Sequence, residues 1–389
     1  MRKSMRFLMT IVAAIALLAL AACGGGNESS SSNNGGNDSN GGGGKVSANI
    51  GVVSFITGSG AAYGEAITNG LNLALEEINE AGEVDIELLI EDSAGEADQA
   101  LSAAQKLMNS EDIVGLIGPT LSTEFEVVAP VADQNGIPIL GTSVTAEGIP
   151  QIGDYVFRDS IPETLAIPAS VEKAAESVDA KTVALLYGND DVFTKAGYDA
   201  MKDAAEDLGL EILTTETFQL GQNDYKAQLS KIKQADPDLV LASALYNEGA
   251  VIMKQARSMG IDVPFVGGNG FNSPQVIEIA GEDADGLVVA TPWFTEADDE
   301  KVQSFVEKYK EEFGKTPDQF AAQAYDGLYI MADALKRAGE ADHDKLREAL
   351  LDTQDFEGIL GSMSFDEEGD IVMDPIVLTI EGGEFIEME

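Results

Sequence analysis

Two hydrophobic periods alternate along most of this chain. Short runs of consecutive apolar residues, typical of buried strands, are followed by segments in which apolar residues recur every three or four positions, as on one face of a helix. In the first half this pattern predicts strands at 48–53, 84–90, 112–118 and 136–140, and helices at 67–78, 97–108 and 122–134. Strands that alternate with helices of this length are typical of βαβ units and of a parallel sheet.

The alternation begins again after Pro162. It predicts strands at 181–187, 211–218, 238–243, 263–267 and 286–290, and helices at 193–208, 225–234 and 250–259. We expect a crossover between two βα arrays at 154–162. Helices at 301–313 and 320–338, with no new strands of their own, are expected to pack on the first array, and a hairpin is expected at 376–386. The predicted fold class is therefore α/β, with two Rossmann-like lobes built on parallel sheets.

This architecture predicts where a ligand binds. Open α/β sheets bind ligands beyond the carboxyl ends of their strands. Two such lobes that face each other across a hinge form a cleft that closes on a small molecule.

The amino terminus has the pattern of a secretory signal. Arg2, Lys3 and Arg6 precede an apolar run at 7–22, which is shorter than the roughly 20 residues that a membrane-spanning helix needs. The run ends in Leu-Ala-Ala-Cys at Cys23, which resembles the lipobox of bacterial lipoproteins. The resemblance implies a signal peptide at 1–22 and a lipid on the sulfur of Cys23. An ordinary signal peptide with a chance cysteine remains the alternative.

Residues 23–45 are predicted to be the lipidated cysteine and a flexible tether. From 24 to 44 this stretch consists almost wholly of Gly, Ser and Asn and has no apolar side chain. Such a composition cannot bury enough surface to offset the entropy of ordering. A domain on this tether floats above a membrane and still reaches a partner embedded in it.

Charge and cysteine content exclude several classes of function. The formal net charge is −45, which argues against a nucleic-acid partner and against binding to anionic lipid. Cys23 is the only cysteine, so the folded part has no disulfide framework and no thiolate metal site. We expect no metal and no cofactor.

Catalytic motifs are also missing from the sequence. The single histidine, His343, lies in a polar segment at a predicted helix start, and no Ser-His-Asp set, Walker loop or dinucleotide fingerprint is present. The sequence therefore predicts a binding protein and not an enzyme.

Several segments together resemble the leucine/isoleucine/valine-binding branch of the type I periplasmic binding proteins. They are YG at 63–64, IGPTLS at 117–122, GIP at 136–138, TSVT at 142–145, KQARSMG at 254–260 and AYDG at 324–327. The resemblance spans nearly the whole chain after the tether. It implies two lobes joined by a multi-strand hinge, with residues 46–163 and 293–372 in the first lobe and residues 164–292 and 373–389 in the second.

The resemblance also implies site residues. In this family the ligand's carboxylate lies at a helix N-terminus of the first lobe, where unpaired N–H groups and the helix dipole favour an anion. The matching residues are Ser122, Ser143 and Thr145, although Ser122 as a helix cap and Thr145 as a turn residue are the alternatives. Aromatic residues wall the pocket in the family. Those that match are Tyr63, Phe193 and Tyr246, with core packing as the alternative for each, and Trp293 is a further candidate.

One position departs from the family pattern. Amino-acid binders of this branch place an acidic residue on the second lobe to pair the ligand's ammonium group. The matching position here is Asn269, whose amide accepts a hydrogen bond but carries no charge. Glu248 or Asp326 are the candidates to replace it, with a surface or structural role as the alternative for each.

The expected function is that of a lipid-anchored substrate-binding protein of an ABC importer, located on the extracytoplasmic face of the cell membrane. We expect a monomer that binds a branched-chain or similar aliphatic amino acid and delivers it to the permease. A neutral amide, a urea-like compound or a small carboxylic acid remains open as the ligand. A sensory ligand-binding protein of the same fold remains the alternative function.

The lipobox generates a first prediction. We expect Cys23→Ser to prevent lipid attachment, so the variant is released to the medium or stays as an unprocessed precursor. Detergent phase partition of cell fractions, with the wild type alongside, measures this. A variant that is processed normally and partitions like the wild type would contradict the lipid anchor.

Overall fold

The computed structural model describes residues 45–110 and 112–388. The predicted signal peptide, the predicted lipidation site Cys23 and the predicted tether as far as residue 44 lie outside the described residues. Within the described part, no helix combines the length and the apolar character needed to cross a membrane.

A five-stranded parallel sheet forms the core of the first lobe. Its strands are β1 (Val46–Ser54), β2 (Val84–Asp92), β3 (Ile113–Ile117), β4 (Ile139–Gly141) and β5 (Val156–Arg158), in the spatial order β2-β1-β3-β4-β5. The connecting helices are α1 (Ala61–Ala81), α2 (Ala97–Ser110) and α3 (Ser122–Gln134). Every residue of β3 is buried, as expected for a parallel strand covered on both faces.

The second lobe repeats the plan. Its parallel strands are β6 (Thr182–Gly188), β7 (Glu211–Phe218), β8 (Leu239–Ser243), β9 (Phe265–Gly267) and β10 (Leu287–Thr291). Its helices are α4 (Glu163–Val178), α5 (Val192–Asp207), α6 (Lys226–Ala235), α7 (Tyr246–Ser258) and α8 (Pro274–Ala280).

The chain then returns to the first lobe. Helices α9 (Glu300–Phe313), α10 (Gln319–Ala338) and α11 (His343–Leu351) pack on it, and α10 lies along α1. A small antiparallel sheet follows, made of β11 (Phe356–Glu357), β12 (Ser362–Phe365) and β13 (Ile371–Val372). The last two strands, β14 (Ile376–Glu381) and β15 (Glu384–Glu387), form a hairpin that pairs antiparallel with β10. The second sheet thus has the order β15-β14-β10-β9-β8-β6-β7.

Most predicted elements are present, and the α/β class with two Rossmann-like sheets is as predicted. Some elements were not predicted. They are strand β5, which lies inside the expected crossover, helices α4 and α8, and the sheet of β11 to β13. Helix α4 contains Pro168 and follows Pro162, and both prolines indicate a helix break. The proposed lobe boundaries stay a prediction.

The contact between α1 and α10 is unusually close. A Cβ on Gly70 of α1 would lie 2.1 Å from the carbonyl oxygen of Ala321 in α10. Only a residue without a Cβ allows the two backbones to approach this closely. This contact fixes the returning helix against the first helix of the fold.

We expect Gly70→Ala to destabilise the protein. Alanine favours a helix by about 1 kcal/mol over glycine, but here the added methyl forces α1 and α10 apart, and such overpacking costs typically about 1–3 kcal/mol. Urea denaturation measures the difference. Asn72→Ala, on the exposed face of the same helix, is the control and should leave stability unchanged or slightly higher. A Gly70→Ala protein at least as stable as the wild type would contradict the close contact.

Candidate ligand-binding site

A cavity lies between the two lobes at the carboxyl ends of both sheets. The cavity is narrow in this arrangement: the space open to the centre of a water molecule is about 20 Å³, which is room for about one or two waters. None of its lining residues is charged. They are Tyr63, Thr120, Leu121, Ser122, Ser143, Phe193, Leu245, Asn269, Gly270 and Phe320.

The first wall of the cavity is the N-terminus of α3. Ser122 and Thr123 begin this helix, so their N–H groups have no carbonyl partner within it. The buried Glu124 carboxylate accepts the N–H of Leu121 at 3.0 Å, which fixes the turn before the helix. The Ser122 hydroxyl accepts only a long bond, 3.4 Å, from the Ala146 N–H, and its hydrogen is available to a ligand. This end of the cavity therefore offers donors to an anion.

Ser143 presents the opposite polarity. Its hydroxyl donates to the carbonyl oxygen of Thr120 at 2.7 Å, so in this arrangement its oxygen acts as an acceptor towards the cavity. Thr145 does not line the cavity. It is buried behind the wall, where its hydroxyl donates to Oε1 of Glu163 at 3.3 Å.

Tyr63 connects the lobes. Its hydroxyl donates to the carbonyl oxygen of Gly270 at 2.6 Å and accepts the N–H of Tyr246 at 2.8 Å. Its ring makes edge contacts with Tyr246 and with Phe320, with centroids 4.8 and 4.7 Å apart. Burial raises the pKa of Tyr63 well above its usual value, so the hydroxyl keeps its proton.

The other predicted aromatic residues have different places. Phe193, at the start of α5, lines the cavity. Tyr246 does not, but its hydroxyl donates to the carbonyl oxygen of Ser59 at 2.8 Å and so adds a further hydrogen bond between the lobes to the two that Tyr63 makes. Trp293 is buried against Phe305 of α9 and lies outside the cavity lining.

Asn269 lines the cavity with its amide fixed by a chain of hydrogen bonds. Its Oδ1 accepts from Nε2 of Gln319, whose Oε1 accepts the Thr291 hydroxyl at 2.8 Å. The amide oxygen is thus engaged and the amide NH₂ is left for the ligand. The backbone N–H of Asn269 donates to Oε1 of Glu163 at 2.9 Å.

Glu248 and Asp326, the two candidates to replace an acidic residue at 269, both accept hydrogen bonds from backbone N–H groups outside the cavity. Oε1 of Glu248 accepts the N–H of Gly221 at 2.9 Å. The carboxylate of Asp326 accepts the N–H groups of Ile359 and Leu360, at 3.1 and 2.8 Å. Neither residue lines the cavity.

Sequence reasoning missed half of the lining. Four of the five missed residues are neighbours of residues predicted for the site, namely Thr120, Leu121, Leu245 and Gly270. The sequence does not show which side chains of these loops face the cavity. Phe320 carried no such signal, because it starts a helix that was assigned to packing alone.

Known proteins resemble this chain over almost all of the described residues. The family model described as "Periplasmic binding protein" matches residues 47–383. A leucine-, isoleucine-, valine-, threonine- and alanine-binding protein from Pseudomonas aeruginosa is 28% identical over 320 residues, which cover 81% of this chain and 85% of that protein.

Two solved structures have the same fold. One is the branched-chain amino acid transporter substrate-binding protein of Streptococcus pneumoniae in complex with isoleucine. It has a TM-score of 0.82 and 30% identity, over 88% of this chain and 100% of that one. The other is an ABC transporter solute-binding protein of Rhodopseudomonas palustris in complex with 3,4-dihydroxybenzoic acid, with a TM-score of 0.81 and 26% identity, over 88% and 96%.

The chain therefore belongs to the periplasmic binding protein family and has the type I fold of that family, which confirms the resemblance read from its motifs. The P. aeruginosa relative is an amino-acid-binding protein, and the two solved structures are binding proteins of transporters with different ligands, isoleucine and 3,4-dihydroxybenzoic acid.

Tyr63 provides a test of the site geometry. We expect Tyr63→Phe to weaken ligand binding about fivefold to a hundredfold, because two hydrogen bonds that close the cleft are lost and each is worth roughly 0.5–1.5 kcal/mol. Calorimetric titration measures the affinity. Tyr198→Phe is the control, since Tyr198 stacks on Tyr187 within the second lobe, away from the cavity. Equal affinities for the Tyr63 variant and the wild type would contradict a closing role.

Proposed function

We propose that this chain is the lipid-anchored, extracytoplasmic substrate-binding protein of an ABC importer, and that its lobes close on a small aliphatic amino acid. The protein then delivers the amino acid to a membrane permease. It acts as a monomer and performs no catalysis.

The observation that carries this proposal is the polarity of the uncharged cavity. Donors of the α3 N-terminus and the Ser122 hydroxyl lie at one wall, and the acceptor oxygen of Ser143 lies at another. Apolar side chains, namely Leu121, Leu245, Phe193 and Phe320, surround the remaining space. A zwitterionic head with a short aliphatic side chain matches this distribution.

The cavity size supports a small ligand. The space open to the centre of a water molecule is only about 20 Å³, room for about one or two waters, so the lobes must move apart slightly even for a small ligand. Large peptides or oligosaccharides do not fit in it without a wide opening of the lobes. The names of the P. aeruginosa and S. pneumoniae relatives point to the same ligand class.

A small carboxylic acid is the second candidate. The amide of Asn269 offers a donor where amino-acid binders have an acid, because its oxygen is held by Gln319. The R. palustris relative binds an aromatic carboxylic acid within the same fold. A carboxylic acid uses the α3 N-terminus in the same way but needs no partner for an ammonium group.

Ser122 tests the carboxylate site. We expect Ser122→Ala to weaken binding of leucine or isoleucine about tenfold to a hundredfold, because a hydrogen bond to a charged group is worth roughly 1.5–3 kcal/mol. Calorimetry measures the affinity, and circular dichroism checks the fold. Ser102→Ala, on the exposed side of α2, is the matched control. If Ser122→Ala binds these amino acids as tightly as the wild type does, Ser122 does not bind the ligand's carboxylate. If the wild type binds a small carboxylic acid but no aliphatic amino acid, the result favours the carboxylic acid as the ligand.

A further inference from the structure

The second lobe contributes one polar side chain to the described cavity lining. Phe193, Leu245 and Gly270 have no polar side-chain atom, so the Asn269 amide decides which hydrogen-bonding group a ligand meets there. An amide offers two different groups, because its oxygen only accepts and its NH₂ only donates. The orientation of this amide is therefore a determinant of ligand specificity.

A chain of buried groups sets the orientation of the Asn269 amide. Gln319 donates to Oδ1 of Asn269 and accepts the Thr291 hydroxyl at 2.8 Å. Gln319 and Thr291 are only 3% and 2% exposed. Water has little access to their polar atoms, so each of these atoms needs a partner within the protein. The three side chains consequently adopt their orientations together.

The end of the chain at Thr291 leaves its direction open. The Thr291 hydroxyl has a single hydrogen and two acceptors within reach, Oε1 of Gln319 at 2.8 Å and the carbonyl oxygen of Trp293 at 2.9 Å. The hydroxyl oxygen also accepts the N–H of Trp293 at 3.2 Å. Because the two acceptors are almost equally distant, the hydrogen is able to point to either of them at similar cost.

A second arrangement of the chain uses the same positions of the heavier atoms. When the Thr291 hydrogen points to the Trp293 carbonyl, the Thr291 oxygen accepts from Nε2 of Gln319. A half turn of the Gln319 amide directs its oxygen to Asn269, and a half turn of the Asn269 amide supplies the donor. No hydrogen bond is lost from the chain, because both amides and the hydroxyl donate as well as accept. The Asn269 oxygen then faces the cavity.

We propose that Gln319 is a specificity-determining residue, and that reversal of this hydrogen-bond chain lets the cavity accept aliphatic acids with either a donor or an acceptor at position 2. The assignment rests on the proposed function, in which the ligand's carboxylate binds the α3 N-terminus. A 2-oxo acid selects the arrangement with the Asn269 NH₂ towards the ligand, and a 2-amino acid selects the reversed one. A 2-hydroxy acid fits both arrangements, because a hydroxyl donates and accepts.

The reversal removes a mismatch between the site and an amino acid. With the Asn269 NH₂ towards the cavity, the ammonium group of the ligand meets another donor and both are left unpaired, which is unfavourable. In the reversed arrangement the ammonium group meets an oxygen. Since the buried chain keeps its hydrogen bonds in both directions, the ligand's own hydrogen bond is sufficient to select one of them.

The experiment uses three ligands that differ only at position 2: leucine, 2-hydroxy-4-methylpentanoate and 4-methyl-2-oxopentanoate. Calorimetry gives their affinities for the wild type, which should bind all three, and for Gln319→Glu. An ionised carboxylate at position 319 only accepts, from Thr291 and from Asn269, so it holds the Asn269 oxygen towards the cavity. We expect the ratio of oxo-acid to hydroxy-acid affinity to fall about two- to tenfold in Gln319→Glu, the value of one hydrogen bond.

The ratio is insensitive to the added charge itself, because the oxo acid and the hydroxy acid carry the same charge. Gln275→Glu is the matched control. Gln275 lines the same surface depression as Asp318, the neighbour of Gln319, but lies outside the cavity lining. This variant should have the ratio of the wild type.

A pH profile separates orientation of the amide from a structural role. Burial keeps the new carboxyl of Gln319→Glu protonated at low pH, where it donates and accepts as glutamine does. The ratio in this variant should therefore fall as the pH rises from about 5 to about 9, while the wild-type ratio stays constant. Glu163 and Asp318, whose pKa values burial raises to about 7, affect both acids alike.

Neutron diffraction from deuterium-exchanged crystals tests the reversal without a variant. With the oxo acid, the Thr291 deuteron should point to Gln319 and the Asn269 deuterons to the ligand. With leucine, the Thr291 deuteron should point to the Trp293 carbonyl. The same orientation in both complexes would overturn the proposal.

The outcomes distinguish this proposal from the proposed function. If leucine binds and the ratio is the same in Gln319→Glu and the wild type at every pH, Gln319 does not set specificity, and the proposed function stands. An equal loss of all three ligands in Gln319→Glu makes Gln319 structural and also overturns the assignment. If the wild type binds the two acids but not leucine, the amino-acid function fails, while a fall of the ratio in Gln319→Glu still supports the role of Gln319.

Discussion

The hydroxyl of Tyr63 lies at the centre of the hydrogen bonds that hold the two lobes together. The oxygen of Tyr63 accepts from Tyr246 and donates to Gly270, so both of its hydrogen-bonding functions are used in the closed arrangement. Because such bonds require short distances and good alignment, they fix α1 against two loops of the second lobe, and the cavity dimensions depend on them. Water replaces these bonds when the lobes part, so their net contribution is small. A ligand whose charged groups bind the closed form more tightly is therefore able to shift the equilibrium from the open to the closed form.

The electrostatics of the chain favour a ligand without net charge. The protein carries a formal charge of −45, yet the described cavity lining has no charged side chain. The field of the whole surface repels a free anion at long range, while the attraction of the α3 N-terminus acts only over the first turn of the helix. A zwitterion avoids most of this repulsion and still presents a carboxylate at close range. Salt screens the surface field over about 8–10 Å, so discrimination against anions weakens at high ionic strength.

Most of the fold was predictable from the sequence because each strand and helix carries its own hydrophobic period. Strand β8 and helix α3 are examples whose apolar positions are local signals. Helix α4 was missed because its start and interior contain Pro162 and Pro168, whose local preference is overridden by packing. The family motifs pointed to Ser122, Ser143 and Asn269, which line the cavity, but not to the position of Glu163. Its contact with Asn269 joins residues 106 positions apart, and no local pattern contains that information.

The close packing of α1 with α10 has a consequence for how the protein acquires its structure. The hydroxyl of Tyr325 in α10 donates to Glu77 in α1, across 248 residues of chain, and Gly70 meets Ala321 over a similar separation. The first lobe therefore cannot complete its core while the chain is being synthesised, until the segment that follows the entire second lobe has emerged from the ribosome. Contacts this distant in sequence slow folding, and the chain stays unfolded for longer after synthesis. For a protein with an amino terminus that has the pattern of an export signal, this delay keeps the polypeptide in the extended state that can be threaded across a membrane.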